Sequence, residues 1–254
     1  MPQPLTGTAA LVTGASSGIG EATALALAED GARVALVARR RDRLEALAER
    51  IGGGGGTALV IEADVTDQAQ AEAAVAAAVA EFGRLDTLVN NAGVMLLGPI
   101  VGAPIEEWQR MVHLNVLGLL YCTHAALPHL LSAAEDGPRS VADVVNISST
   151  AGRVARLNSG VYNATKFGVV AFSESLRQEV TARHVRVSII EPGATATELA
   201  FHNRPEVLEG MANNFAGIEL MKAEDVANAI RYVVTQPRHV AVNEVLMRPT
   251  EQER

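Results

Sequence analysis

Three residues near the middle of the chain have the side chains and spacing for proton transfer: Ser149, Tyr162 and Lys166. Tyr162 and Lys166 stand four apart, one helical turn, so phenol and ammonium project from the same face. Ser149 lies thirteen positions before Tyr162 and follows Val144-Val145-Asn146-Ile147-Ser148, a β-branched apolar run that predicts a buried strand ending at the serine. Open α/β sheets bind ligands at such ends. A free phenol titrates near pH 10, and bringing it near 7 requires about 4 kcal/mol of preferential stabilisation of the phenolate. An ammonium about 4 Å away, at an effective dielectric of about 20, supplies about that much. Tyr-x-x-x-Lys also arises on ordinary amphipathic helices, so the pair gains its weight from the elements that must position it.

Those elements alternate. Strands are predicted at 8–12, 33–37, 59–61, 87–89, 144–148, 185–190 and 240–247, from apolar and β-branched runs. Helices are predicted at 19–29, 42–50 and 68–82, over 106–131 with an interruption or end near Pro128, over 160–182, and in the tail within 197–215 and 223–235. The five glycines at 52–56 read as a flexible connector, because no helix start follows them. This rhythm predicts an α/β fold, a Rossmann-like doubly wound parallel sheet of about seven strands with helices on both faces. No internal repeat or boundary interrupts it, so one domain is expected over 1–254.

The loops after the strands carry a second set of signals. Thr13-Gly14-Ala15-Ser16-Ser17-Gly18-Ile19-Gly20 leads from the first strand into the first helix, and its glycines let a backbone approach a pyrophosphate at the helix N-terminus. After the second strand stands Ala38, where an NAD site would offer a carboxylate, followed by Arg39 and Arg40. Guanidiniums suit a 2′-phosphate, so NADP(H) is the expected cofactor, against a solvated basic helix start. Asp64 and Val65, after the third strand, are candidates to meet the adenine; an ordinary N-cap is the competing reading. Asn91, Ala92 and Gly93 close the fourth strand beside the expected cofactor.

Composition bounds the function. The chain has 254 residues, 48% hydrophobic and only 4% aromatic, so its core must be built from Ala, Val, Leu and Ile. A net charge of −8 argues against a nucleic-acid or anionic-membrane partner. Cys122 is the single cysteine, which rules out an internal disulfide and fits a reducing cytoplasm. Met1-Pro2-Gln3-Pro4 carries no basic-then-apolar leader, and no uninterrupted apolar run approaches a span of about 20 residues. A soluble cytoplasmic protein is expected. The six histidines show no metal-ligand spacing, so no metal is expected.

Taken in order, T-G-A-S-S-G-I-G, N-N-A-G, the serine thirteen before Y-x-x-x-K, and Pro192-Gly193 after the sixth strand resemble the short-chain dehydrogenase/reductase family, in its short single-domain branch. The resemblance implies that Ser149 polarises a carbonyl, Tyr162 donates the proton, and Lys166 holds the nicotinamide ribose and depresses the tyrosine pKa. It implies that Asn115 kinks its helix and anchors a water relay, and that Thr197, or Thr195 in its place, contacts the nicotinamide half. The ending at 242–250, with segments 95–99, 151–154 and 172–180, is similar to the branch of clavulanate, hydroxy-acid and serine dehydrogenases. Reversible reduction of a small aldehyde or ketone follows, in a homo-oligomer, expected to be a tetramer joined through 106–131 and 160–182. The substrate cleft is expected beneath 94–100, 151–160 and 198–222, with Arg153, Arg156 and Arg204 as candidates for a substrate anion. A non-catalytic NADP-sensing or scaffold protein on the same fold is the alternative, and an epimerase or dehydratase a third reading.

Overall fold

The computed structural model describes residues 3–214 and 217–253. Among these, β1 Ala9–Thr13, β2 Arg33–Ala38, β3 Thr57–Glu62, β4 Thr87–Asn90, β5 Ala142–Ile147, β6 Val185–Pro192 and β7 Glu244–Met247 form one sheet. Every pairing is parallel, in the order β3-β2-β1-β4-β5-β6-β7. The chain runs outward from β1 to β3, then returns to place β4 on the other side of β1. The crossovers therefore diverge at the β1/β4 boundary, and a crevice opens there at the carboxyl ends of the strands.

Helices α1 Gly18–Glu29, α2 Arg41–Gly53 and α8 Ala223–Val234 cover one face of the sheet. Helices α3 Gln68–Phe82, α5 Leu119–Asp136 and α6 Gly160–Val180 cover the other. Helix α4 Ile105–Val112 leads into α5, and α7 Pro205–Asn214 lies in the tail. Side-chain alternation along each strand feeds both layers: Leu11 faces α3 and α5, while Val12 faces α1 and α8. Strands β1, β4, β5 and β6 are buried from end to end, which is why the middle of the sheet reads as apolar runs rather than alternating ones. With Ala71, Ala74 and Ala78 on its inner face, α3 presents little bulk toward the sheet.

Four local expectations are corrected. Helix α5 does not stop near Pro128 but runs through it to Asp136, because Cys122, Ala126, Leu130 and Ala133 on its inner face are buried in the core. That packing outweighs the helix cost of one proline, about 3 kcal/mol. The whole helical run Ile105–Asp136 is long and apolar enough by composition to cross a membrane, yet this face is part of the core. The glycine run is no loose connector. Gly52 and Gly53 finish α2, and the Gly55 and Gly56 amides donate to Gly52 O and Ile51 O at 2.9 Å, closing a built turn with Gly55 at φ +82°. The final strand is shorter than expected, starting at Glu244. The first tail helix is divided into a 3₁₀ turn, Glu198–His202, and α7, because Pro205 disfavours helical backbone at Arg204. Met1 and Pro2, residue 215 of the predicted tail helix and residue 216 of the predicted substrate segment lie outside the described residues.

At the amino ends of the strands a buried guanidinium holds three elements. Arg186 on β6 forks onto Asp143 of β5 at 2.7 and 2.9 Å and donates to the carbonyls of Val234, the last residue of α8, and of Gln236 and Val240 beyond it. Asp143 is wholly buried. Replacing Arg186 with Ala is expected to cost about 3–5 kcal/mol in a urea unfolding curve, since a buried carboxylate loses its bidentate partner. Breaking the exposed Arg183–Glu135 pair by Arg183→Ala is expected to cost under about 1 kcal/mol. Equal losses would contradict this division.

Candidate functional site

All the sequence-derived catalytic and cofactor residues except Gly20 and Asn115 line one cavity of about 1070 Å³ along the carboxyl edge of the sheet. Gly20 and Asn115 stand directly behind its wall.

The loop between β1 and α1 forms the floor. Gly14 and Gly18 take φ +67° and +56°, which a residue with a Cβ adopts only under strain. A Cβ on Gly20 would stand 2.4 Å from both Asn91 Nδ2 and Gly14 O, so this glycine serves close packing. Ser17 is the N-cap of α1 but makes no side-chain cap, leaving the first-turn amides facing the cavity beside Ser16 and Ile19. Such an end accommodates a phosphate. Thr13, which opens the glycine motif but was not among the expected cofactor contacts, fixes the facing loop: its hydroxyl accepts from the Asn91 and Ala92 amides at 3.0 Å. Asn91 returns its side-chain amide to Thr13 O at 2.9 Å. The donors and glycines present thus fit a dinucleotide.

The two arginines after β2 differ in their engagement. Arg40 donates to Ser16 Oγ at 2.9 and 3.1 Å, to Ser17 Oγ at 2.7 Å and to Glu198 at 2.8 Å. Arg39 is the more exposed, 3.8 Å from Asp64. Of the two, Arg40 is the one that reaches back over the phosphate loop. Asp64 is not the N-cap of α3. It accepts from Thr66 in a local turn, while Asp67 caps the helix through the Gln70 amide.

At the other end of the cavity Ser149, Tyr162 and Lys166 converge. Ser149 follows β5 and starts a 3₁₀ turn, Thr150–Gly152, accepting from the Ala151 amide at 3.1 Å and donating to Pro192 O at 3.4 Å. Tyr162 and Lys166 are buried on the first two turns of α6, and Tyr162 hydrogen-bonds to Ser149. The lysine ammonium donates to Ile147 O at 2.8 Å and sits 5.8 Å from the tyrosine ring centroid. Burial pushes the phenol up to about 12, with the Ser149 hydrogen bond pulling the other way, and pulls the ammonium down to about 8. For the phenol, desolvation outweighs an ammonium that is turned to Ile147 O and stands 5.8 Å from the ring centroid.

Asn115 lies in a π turn, His113–Gly118, between α4 and α5. Its amide closes on Val94 N and O at 2.8 and 2.9 Å and reaches Thr165 Oγ1 at 3.2 Å. Beside it Gly93 is compressed, where a Cβ would lie 3.3 Å from Asn115 Oδ1 and 3.8 Å from Lys166 Nζ. Thr197 starts the 3₁₀ turn of the tail and packs against Gly18, while Thr195 donates to Gly193 O. Beneath the site runs a buried chain of amides and hydroxyls that sequence spacing did not reveal: Asn90 to Thr123 and Asn146, and Asn146 to Ser173, at 2.8–2.9 Å.

Arg153 and Arg204 are each held by carboxylates. Arg153 is bound to buried Glu191 at 2.7 and 2.8 Å and to Glu244. Arg204 faces Glu107 at 3.2 Å and Glu206 at 3.5 Å. Of the three anion candidates, Arg156 alone lines the cavity.

The family model described as short chain dehydrogenase matches residues 8–207. A glycine betaine reductase of Emericella nidulans is 42% identical over 98% of this chain, which spans only 19% of that protein's length. A closed form of serine dehydrogenase complexed with NADP+ superposes with a TM-score of 0.88 at 33% identity, covering 97% of both chains. A metagenomic short-chain oxidoreductase in complex with NADP gives 0.81 at 30% identity, covering 98% of this chain and 100% of the other. The family model spans the phosphate loop, Ser149, the buried tyrosine and lysine and the π turn that walls them, and the chain belongs to the short-chain dehydrogenase/reductase family.

Proposed function

We propose that this oxidoreductase reduces a small aldehyde or ketone to its alcohol with NADPH, and runs the reverse reaction with NADP+. The observation that carries this reading is the meeting of Ser149, Tyr162 and Lys166 in one cavity with an uncapped helix N-terminus and Arg40 at its far end. The NADP-bound state of two structural neighbours supports the choice of cofactor.

When bound, the nicotinamide supplies or accepts a hydride. The chain's own residues hold the rest. Ser149 Oγ donates to the carbonyl oxygen, and Tyr162 Oη gives its proton to that oxygen as negative charge develops. A phenol pushed up to about 12 is protonated throughout the neutral range, the form that reduction requires. Lys166, already giving one N–H to Ile147 O, offers its remaining donors to the ribose, and its charge favours the phenolate left behind. Asn115 braces the wall beside Lys166 and anchors the proton relay that recharges the tyrosine. Ser16 and Arg40 take the 2′-phosphate, with Arg39 assisting. Pro192, Gly193, Thr195 and Thr197 border the nicotinamide half, and Asp64 and Val65 the adenine.

The substrate class is a small polar carbonyl compound, in keeping with the narrower likeness to the clavulanate and serine dehydrogenase branch. A carboxylate on it would be met by Arg156. The chain acts as one domain in the cytoplasm. It assembles as a tetramer through α4–α5 and α6, where Ala164, Phe167 and Ala171 are exposed; light scattering at micromolar concentration tests the assembly, and a monomer refutes it.

A panel of aldehydes and ketones followed by NADPH consumption tests the activity. Tyr162→Phe is expected to reduce turnover by at least a thousandfold while NADPH still binds, and activity within tenfold of the unsubstituted chain would exclude the mechanism. Arg40→Ala is expected to weaken NADPH by about 1.5–3 kcal/mol and leave NADH little changed; equal losses would remove the 2′-phosphate assignment. With its pKa pulled down by burial, Lys166 is charged below about pH 8 and neutral above it. Reduction should therefore show kcat/KM level on the acid side and falling through about pH 8, and a profile level to pH 10 would contradict the lysine's role.

A further inference from the structure

Glu198 opens the 3₁₀ turn that follows Thr197, far in sequence from the phosphate loop, yet its carboxylate lies between two guanidiniums of the α2 start. One oxygen accepts from Arg40 Nη1 at 2.8 Å and the other from Arg43 Nη1 at 2.7 Å. The remaining donors of Arg40, Nε and Nη2, go to Ser16 and Ser17. Arg40 therefore has an anion on the edge that the serines do not use. The two hydrogen bonds hold the carboxyl of Glu198 down to about 2, so it is ionised at any working pH.

We propose that Glu198 is a coenzyme-specificity residue, an internal competitor that occupies Arg40 until a 2′-phosphate displaces it and that Arg43 retains afterwards. This rests on the reading that Arg40 and Ser16 take the 2′-phosphate of NADP(H). Both partners are about two-fifths exposed, so the contact is of the weak, exchangeable kind. A 2′-phosphate brings nearly two charges and three acceptor oxygens against one charge and two oxygens, and it wins Arg40. NADH, lacking that phosphate, has nothing to exchange and leaves Glu198 in place. Arg43 gives the displaced carboxylate a second partner, which lowers the cost of displacement. Glu198 thus reduces the affinity for NADPH in absolute terms, and reduces it more than that for NADH.

The test is the dissociation constant for NADPH and for NADH by fluorescence titration, with no carbonyl substrate present. Glu198→Gln keeps the size of the side chain and removes its charge. It is expected to tighten NADPH about three- to fivefold and change NADH by less than twofold. Equal tightening of both, or weaker NADPH binding, would overturn the proposal, the second result meaning that Glu198 orients Arg40 for the phosphate instead. Glu206→Gln removes another acidic residue of the cavity lining and should leave the NADPH to NADH ratio where it was; a shift matching that of Glu198→Gln would reduce the effect to general charge and overturn the proposal. Arg43→Gln is expected to weaken NADPH about threefold in the presence of Glu198 and less than 1.5-fold in the Glu198→Gln background. The same loss in both backgrounds would mean that Arg43 itself binds phosphate, and would overturn it. If the unsubstituted chain binds NADPH no more tightly than NADH, the 2′-phosphate reading falls and the proposal with it. If that preference exists and Glu198→Gln leaves it unchanged, the proposal alone falls.

Discussion

A reciprocal pair of hydrogen bonds joins α6 to the end of β5. Lys166 Nζ donates to Ile147 O at 2.8 Å, and Ser148 Oγ donates to Lys166 O at 3.0 Å. The helix that carries Tyr162 is thereby fixed against the strand that delivers Ser149, and the two reactive hydroxyls meet as a consequence. Gly152 belongs to the same joint. A Cβ there would stand 2.5 Å from Ser148 Oγ and 3.0 Å from Lys166 O, so the turn beyond Ser149 packs directly on the helix. Arg153, next in the chain, continues the joint to β6 through buried Glu191, and Pro192 beside it accepts the Ser149 hydroxyl. An arginine that looked like a substrate contact thus belongs to the frame.

Burying this joint has an electrostatic cost that the site uses. Desolvation favours a neutral lysine and a neutral tyrosine, and it drives their pKa values apart, from nearly equal ordinary values to about 12 for the phenol and about 8 for the ammonium. At neutral pH the lysine still carries its charge and the phenol still holds its proton. Such a pair suits the donation of a proton to a forming alkoxide. Removing a proton from an alcohol asks for more positive charge in the cavity than the chain alone provides.

Much of this was legible in the sequence. Buried parallel strands are apolar on both faces, so the strands stand out as runs, and the loops after them carry the glycines, hydroxyls and amides that now line one cavity. What escaped was set by contacts between distant segments. Pro128 and the glycines at 52–56 looked like breaks because local propensity disregards the core face of α5 and the turn that Ile51 O closes. Arginine partners escaped for the same reason: Glu198 lies 158 positions from Arg40, and Glu191 lies 38 from Arg153. The tyrosine arithmetic assumed an ammonium about 4 Å away in a medium of moderate polarity. With the lysine turned toward Ile147 O and the phenol buried, desolvation prevails.

The central claim is that hydride reaches a carbonyl carbon in this cavity while the proton comes from Tyr162. Its most direct measurement is the fate of the label when NADPH deuterated at the transferable C4 position is incubated with a small aldehyde in ordinary water. The account predicts one carbon-bound deuterium in the alcohol product for each NADPH oxidised, and a hydroxyl that exchanges with solvent. NADPH oxidation without carbon-bound deuterium, or turnover of the aldehyde without NADPH, would contradict it.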